Sequence, residues 1–258
     1  MKTLLYEVRD QVAYLTMHRP EVYHALSPEL LGELNQAFKQ ADSEERIRVI
    51  VLTGSGDKAF CSGADLKLGI GESEGMGQVL REHYLPLIQT MRRLPKPIIA
   101  RLNGVAAGAG AALALACDLR IAAGHASMAQ LFVHIGLIPD AGTTFFLPRL
   151  VGLQRAFEWA STGKTLPAAE CHAWGLVNDV VPGEQLDEAV SRWTEYYTQA
   201  PTLAIGYLKQ LLNESATATL ETMLDREAEC QELLGKTQDV AEGLRAFRQK
   251  RKPNFQGR

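Results

Sequence analysis

One carboxylate in this chain stands in a setting where it could move a proton. Asp140 lies in "GLIPDAGTT", residues 136 to 144, among Leu137, Ile138, Phe145 and Phe146. Only two hydroxyls, Thr143 and Thr144, accompany it. Burial in apolar surroundings raises a carboxylate's pKa and makes it a stronger base. The same residue precedes "AGTTFFLPRL", a plausible helix start, and Asp is a favoured N-cap. Both roles do not sit easily on one group, because a strongly capped carboxylate is a weaker base.

Two small-residue stretches offer a second kind of chemistry. They are "AFCSGADL", residues 59 to 66, and "NGVAAGAGAALALACD", residues 103 to 118. Backbone N–H groups at a helix start have no partner within the helix. Small side chains let a ligand's oxygen approach them. A tight strand–turn–helix connection would need the same residues, so each stretch alone is ambiguous. Other chemistry is not indicated. The chain has no GxxxxGK phosphate loop, no GxGxxG after a strand, no GxSxG elbow and no HExxH pair. Its six histidines lack metal-ligand spacing, and His134, in an apolar run, is expected to be structural. The four cysteines form no CxxC pair and read as small buried hydrophobes.

The elements that must position these residues alternate. "LLYEVRDQVAYLTMH" reads as a hairpin about Asp10-Gln11, and "SPELLGELNQAFKQADS" as a helix begun by Ser27. "IRVIVLTG" is a buried strand ended by Gly54. "GIGESEGMG" reads as a glycine-rich mobile segment, and "QVLREHYLPLIQTMRRL" as a helix that Pro86 could kink. Then come a strand in "KPIIARLNG", a helix in "AGAALALAC" and a strand in "DLRIAA". This is an α/β core. From about Val190 the pattern is helical throughout, which suggests an appendage: a core over 1–190 and a helical region over 191–258.

The bulk properties narrow the function classes. With 258 residues, 46% hydrophobic and 22% charged, the chain suits an ordinary globular protein. A net charge of -3 gives no encouragement to nucleic acid or anionic membrane as a partner. The start has no signal-like apolar run, and the most apolar segment is too short to span a bilayer. A cytoplasmic location is expected.

Five segments together resemble the enoyl-CoA hydratase/isomerase (crotonase) family: "HRPEVYHAL", "VLTGSGDKAFCSGADL", "KPIIARLNGVAAGAGAALALACDLRIAA", "GLIPDAG" and "AWGLVNDVV". They follow the family's order over nearly the whole chain. The resemblance implies an α/β fold, a ClpP-like core of repeated ββα turns, with a helical C-terminal region that builds homotrimers or hexamers. It implies an acyl-CoA substrate, with coenzyme A as part of that substrate and no separate cofactor or metal. It also implies an oxyanion hole made of the backbone N–H groups of Ala64 and Ala109. Fixed donors aimed at a developing enolate oxygen contribute roughly 3–4 kcal/mol each. Ala109 departs from the family's usual Gly, but the N–H survives.

The family's hydratases add water with two glutamates. Those positions are here Ala112 and Phe132, and neither transfers a proton. General acid–base groups contribute ~10²–10⁴-fold each, so hydration by that mechanism is not expected. Asp140 is left as the aligned carboxylate. In this context the chain looks most like the family's isomerases, which move a 3-enoyl double bond or isomerise the ring epoxide of phenylacetyl-CoA in phenylacetate degradation. Phe132 would keep the pocket dry. By the same resemblance Ala25, Ser62, Ala64, Asp65 and Leu66 would contact CoA, and Phe247 and Lys250 would reach it from a neighbouring subunit. "RAFRQKRK" also suits a solvated helix end. His24 replaces the Asn often found before Ala25. The rival readings are a dehalogenase-like nucleophilic Asp140 and a non-catalytic acyl-CoA-binding subunit; a hydratase of the same pathway is a possible partner.

Overall fold

A computed structural model describes residues 1–66 and 75–258. Most of "GIGESEGMG", residues 69 to 74, therefore lies outside the described residues. Strands β1 (Leu4–Arg9) and β2 (Val12–Met17) form the expected antiparallel hairpin. Its two loop residues, Asp10 and Gln11, have φ of 47° and 67°. A two-residue turn with both residues left-handed matches the twist of its strands. Helix α1 (Pro28–Ser43) starts where the sequence placed it: Ser27 Oγ accepts from Leu30 N at 3.2 Å, and Pro28 opens the helix.

The chain then winds in turns. Each lays one strand in a large sheet, one in a small sheet, and then helical structure. The first turn is β3 (Val49–Gly54), β4 (Ala59–Cys61), α2 (Met76–Val79) and α3 (Leu85–Arg93). The second is β5 (Ile98–Leu102), β6 (Val105–Ala107) and α4 (Ala109–Ala116). The third is β7 (Leu119–Ala123), β8 (Ser127–Ala129), a 3-10 turn over Leu131–Ile135, and α5 (Thr143–Thr162). Strand β9 (Thr165–Pro167), α6 (Ala168–Ala173) and β10 (Asp179–Val181) close both sheets. The large sheet has the order β1-β2-β3-β5-β7-β10, parallel from β2 onward; the small one has the order β4-β6-β8-β9. This is the expected architecture of repeated ββα turns.

Two local readings are refined. The helical run continues through Pro86, from Met76 to Arg93, with an irregular turn in it. Pro86 sits in the first turn of α3, directly after a π-helical turn over Leu80–Tyr84 in which Leu85 N–H reaches back to Leu80 O. Proline has no N–H to continue the regular ladder, so the irregularity falls just before it. The small sheet was not read from the sequence. Its strands "AFC", "VAA" and "SMA" are too short to show a period of two.

Successive turns are fastened by Asn103, which is buried and fully paired. Its Nδ2 donates to Gly56 O and Ala59 O, both at 2.9 Å, while its Oδ1 accepts from Thr53 Oγ1 and Gly54 N. The C-terminal helices are α7 (Leu186–Gln199), α8 (Thr202–Glu214), α9 (Leu220–Leu234) and α10 (Gln238–Arg248). Helix α7 spans the division at residue 190 and packs on β3, β5 and β7. Lys209 of α8 is tied to Asp118 at 2.7 Å, and Arg92 meets the same carboxylate at 3.1 Å. Among the described residues, no helix is long and apolar enough to cross a membrane.

Candidate active site

The first edge of the site is built from two backbone segments laced together. Residues 61–65 follow β4, and residues 19–26 follow β2. Ser62 N donates to Tyr23 O at 2.9 Å, Leu26 N to Gly63 O at 2.7 Å, and Asp65 N to Leu26 O at 3.1 Å. Gly63 C=O and Asp65 N–H therefore face Leu26. Along an extended chain these groups alternate in direction, so Ala64 N–H faces the other way. That way lies the start of α4. A methyl group on Gly63 would stand 2.8 Å from Ala107 O and 3.5 Å from Ala109 N, and Gly63 has φ of 101°. Gly110 is equally constrained, since a methyl there would lie 2.3 Å from Cys61 O. Glycine at these two places lets the first donor segment press against the second. Neither Ala64 N–H nor Ala109 N–H donates to any acceptor among the described residues.

His24, the departure in the N-terminal segment, is a buried plug. Arg19 N donates to its Nδ1 at 3.1 Å, so Nε2 carries the proton and donates to Ser55 O at 3.0 Å. Burial holds its pKa below the usual histidine value. Tyr23 and His24 both have left-handed backbone, with φ of 52° and 58°. Such strain persists only where surrounding bonds over-determine it.

The second edge carries Asp140. Helix α5 does not use this side chain as its cap. Gly142, with φ of 85° and ψ of 0°, occupies the N-cap position, and Ala141 before it is also left-handed. Thr143 N donates to the backbone oxygen of Asp140, at 2.9 Å, and not to the carboxylate. Asp140 Oδ1 is buried with no hydrogen-bond partner among the described residues. The capping role is thereby excluded by geometry. Loss of hydration raises the carboxyl pKa from 3.8 to about 6. Phe132, on the 3-10 turn, lies beside the start of α4: a methyl on Gly108 would stand 3.8 Å from its ring. Ala112, at the other position where the family's hydratases carry glutamate, is fully buried in α4.

Three residues at this site were not singled out from the sequence. Tyr84, at the end of the π turn, is buried, and its hydroxyl pKa is pushed up by burial and then by the charges of Asp140 and Cys61. Helical periodicity does not single it out. Gln130, just before the 3-10 turn, is wholly buried with neither amide atom paired among the described residues. Arg19 sits in "HRPEV", where its charge beside a turn was the available signal; its guanidinium meets Asp65 at 2.8 Å.

The remaining expected residues are placed as follows. Ala64, Ala109 and Phe132 are gathered at the start of α4. Ala25 is buried and its carbonyl accepts from Arg19. Ser62 has both its N–H and its hydroxyl already paired, to Tyr23 O and Val22 O. The Asp65 carboxylate is turned to Arg19 rather than outward, whereas Leu66 is exposed. Phe247 and Lys250 are not among the residues gathered here. Phe247 ends α10 with 84% of its surface exposed. His134 is structural, bonded to Thr162 O at 3.0 Å.

Comparison with known proteins agrees with this architecture. The family described as Enoyl-CoA hydratase/isomerase matches residues 7–258. The chain is 39% identical, over all of both chains, to the 1,2-epoxyphenylacetyl-CoA isomerase of Escherichia coli (strain K12). It is 41% identical to a probable enoyl-CoA hydratase of Rhodobacter capsulatus, over 99% of this chain and 98% of that one. The crystal structure of an enoyl-CoA hydratase from Bacillus anthracis superposes with a TM-score of 0.91 at 36% identity, covering 99% of this chain and 100% of the other.

Proposed function

This chain belongs to the enoyl-CoA hydratase/isomerase family, and within it we propose an acyl-CoA isomerase that uses Asp140 as a single acid/base. The observation that carries the proposal is Asp140 itself, an unpartnered, desolvated carboxylate, together with the absence of a proton-transferring side chain at Ala112 and Phe132.

The thioester oxygen of a 3-enoyl-CoA would sit between Ala64 N–H and Ala109 N–H. Asp140 takes a proton from the carbon between the carbonyl and the double bond. Negative charge moves to the oxygen, where the fixed donors stabilise it. The proton returns two carbons along, giving the conjugated 2-enoyl-CoA, and no water is consumed. A carboxylate with a pKa of about 6 is a better base than an ordinary one and still ionised at neutral pH. The same constellation suits isomerisation of a ring epoxide on phenylacetyl-CoA, the activity named for the Escherichia coli relative. Hydration is the second reading, favoured by the name of the Rhodobacter capsulatus relative.

Coenzyme A would run past Ala25, Ser62, Asp65 and exposed Leu66. Phe247 and Lys250 would meet it from a neighbouring copy in a homotrimer or hexamer. Exposed Leu208, Leu212 and Leu224 on α8 and α9 suit such a contact.

The test is to supply a 3-enoyl-CoA to wild-type and Asp140→Asn protein and follow the conjugated thioester. Wild-type turnover lost in the variant is expected. Equal rates would remove Asp140 from the mechanism. Water addition to a 2-enoyl-CoA with no activity on the 3-enoyl isomer would select the hydratase.

A further inference from the structure

Ala64 N–H is aimed by a single bridge to Leu26, and an isolated bridge is a weak hold on a donor that must not move. The structure reinforces it with a charge. Arg19 crosses from the other segment and donates to Ala25 O at 2.5 Å and to Asp65 Oδ2 at 2.8 Å. These two contacts lie on either side of the bridge: Ala25 precedes Leu26, and Asp65 follows Ala64. Both charged side chains are largely buried, with 16% and 7% exposure. A buried ion pair holds its partners because separating them leaves a desolvated charge without compensation. Arg19 also spends its backbone N–H on His24, within the left-handed turn that brings Ala25 O to the guanidinium. The Gly63–Ala64 peptide, which carries the Ala64 N–H, is held through Gly63 O by Leu26 N, and the Asp65 anchor keeps the next peptide, whose N–H meets Leu26 O, from turning and swinging it about the Ala64 Cα.

We propose that the Arg19–Asp65 ion pair is a positioning device that fixes the aim of Ala64 N–H, and so sets how strongly the site polarises a bound thioester carbonyl. The Asp65 side chain thereby acts through the first oxyanion donor, while its backbone stays on the path drawn for CoA. The proposal rests on the reading of Ala64 and Ala109 as thioester-binding donors, and deepens it.

The experiment uses the full chain and butanoyl-CoA labelled with carbon-13 at the carbonyl. Its infrared stretch reports hydrogen bonding to the carbonyl without any turnover. In wild type the stretch of bound thioester should fall below that of the free compound. In Asp65→Asn it should return at least half way, and in Arg19→Lys by a smaller amount, since Lys keeps the charge but not the two-pronged grip. With a 3-enoyl-CoA, kcat of Asp65→Asn should fall roughly tenfold or more, as for a weakened oxyanion donor, while KM changes by less than about threefold. A lower melting temperature with an unmoved stretch would overturn the proposal and leave the pair merely structural. If Asp65→Asn does not fold, Arg19→Lys decides by the same criterion. A wild-type stretch equal to that of the free thioester would overturn the donor reading itself, and this proposal with it. A stretch shifted from the free thioester in wild type and shifted just as far in both variants would overturn this proposal alone.

Discussion

The two edges of the site are built on opposite principles. Along residues 19–26 and 61–65, Ser62 N–H and hydroxyl, Leu26 N–H, Asp65 N–H and the Asp65 carboxylate are all paired within the protein. The N–H of Ala64 is left without an acceptor among the described residues. Along residues 130–143, Gln130 has both amide atoms, Asp140 its Oδ1 and Thr143 its Oγ1 buried without partners among the described residues. The difference follows from what each edge does in the proposed reaction. An oxyanion donor works by not moving, so its neighbours are locked by folding. A proton carrier works by having a free lone pair and a raised affinity for protons, so its neighbours leave it dry.

The contrast can be broken most severely at the dry edge. Asp140→Asn should lower isomerisation ~10²–10⁴-fold, the usual contribution of an acid/base group, with thioester binding little changed. On the locked edge, Ala109→Pro deletes one N–H at a helix start, a position that tolerates proline. A loss of ~10²–10³-fold in kcat is expected from the missing donor; a kcat within a few-fold of wild type would show that this N–H does not meet the developing charge.

The third test is pH. Asp140 acts as a base only when ionised, so kcat/KM should rise with pH up to about 6 and level above it. A flat profile between pH 5 and pH 7 would contradict the raised pKa. The same shift sets a stability effect. The folded-state pKa lies above the unfolded value, so ionisation penalises the folded state. The penalty is absent below pH 3.8, grows as pH rises, and is complete above about pH 6. Asp140→Asn should therefore be more stable than wild type by up to about 3 kcal/mol at neutral pH, and equal to it in acid, as read by urea titration. The smallest effect is expected at Gln130. Gln130→Met removes two unpaired buried polar atoms at similar volume and should stabilise by about 1–2 kcal/mol; destabilisation would mean that the amide holds something the dry edge needs.

Much of this was legible beforehand. The hairpin at Asp10-Gln11, the cap at Ser27, buried β3 and the C-terminal helices all carry local signals, because turns, caps and periodicity are set by near neighbours. The small sheet was not legible, because three-residue strands have no period. Tyr84 was not, because a π turn rotates it away from the face that a regular helix would give it. Nor was the bond from Arg19 to the Asp65 carboxylate legible, because it joins residues 46 positions apart in sequence.

By itself, then, the sequence determined the order of elements, the small residues at the two donor segments, and the lack of a carboxylate at 112 and 132. It left Asp140 divided between helix cap and base. Only the tertiary structure removed the cap, by placing Gly142 at that position and leaving Asp140 half-buried with its Oδ1 buried and unpaired among the described residues. The physical reason is that a carboxylate's basicity depends on its lost hydration and its hydrogen-bond partners. Both are properties of neighbours brought together by folding, and adjacency along the chain does not specify them.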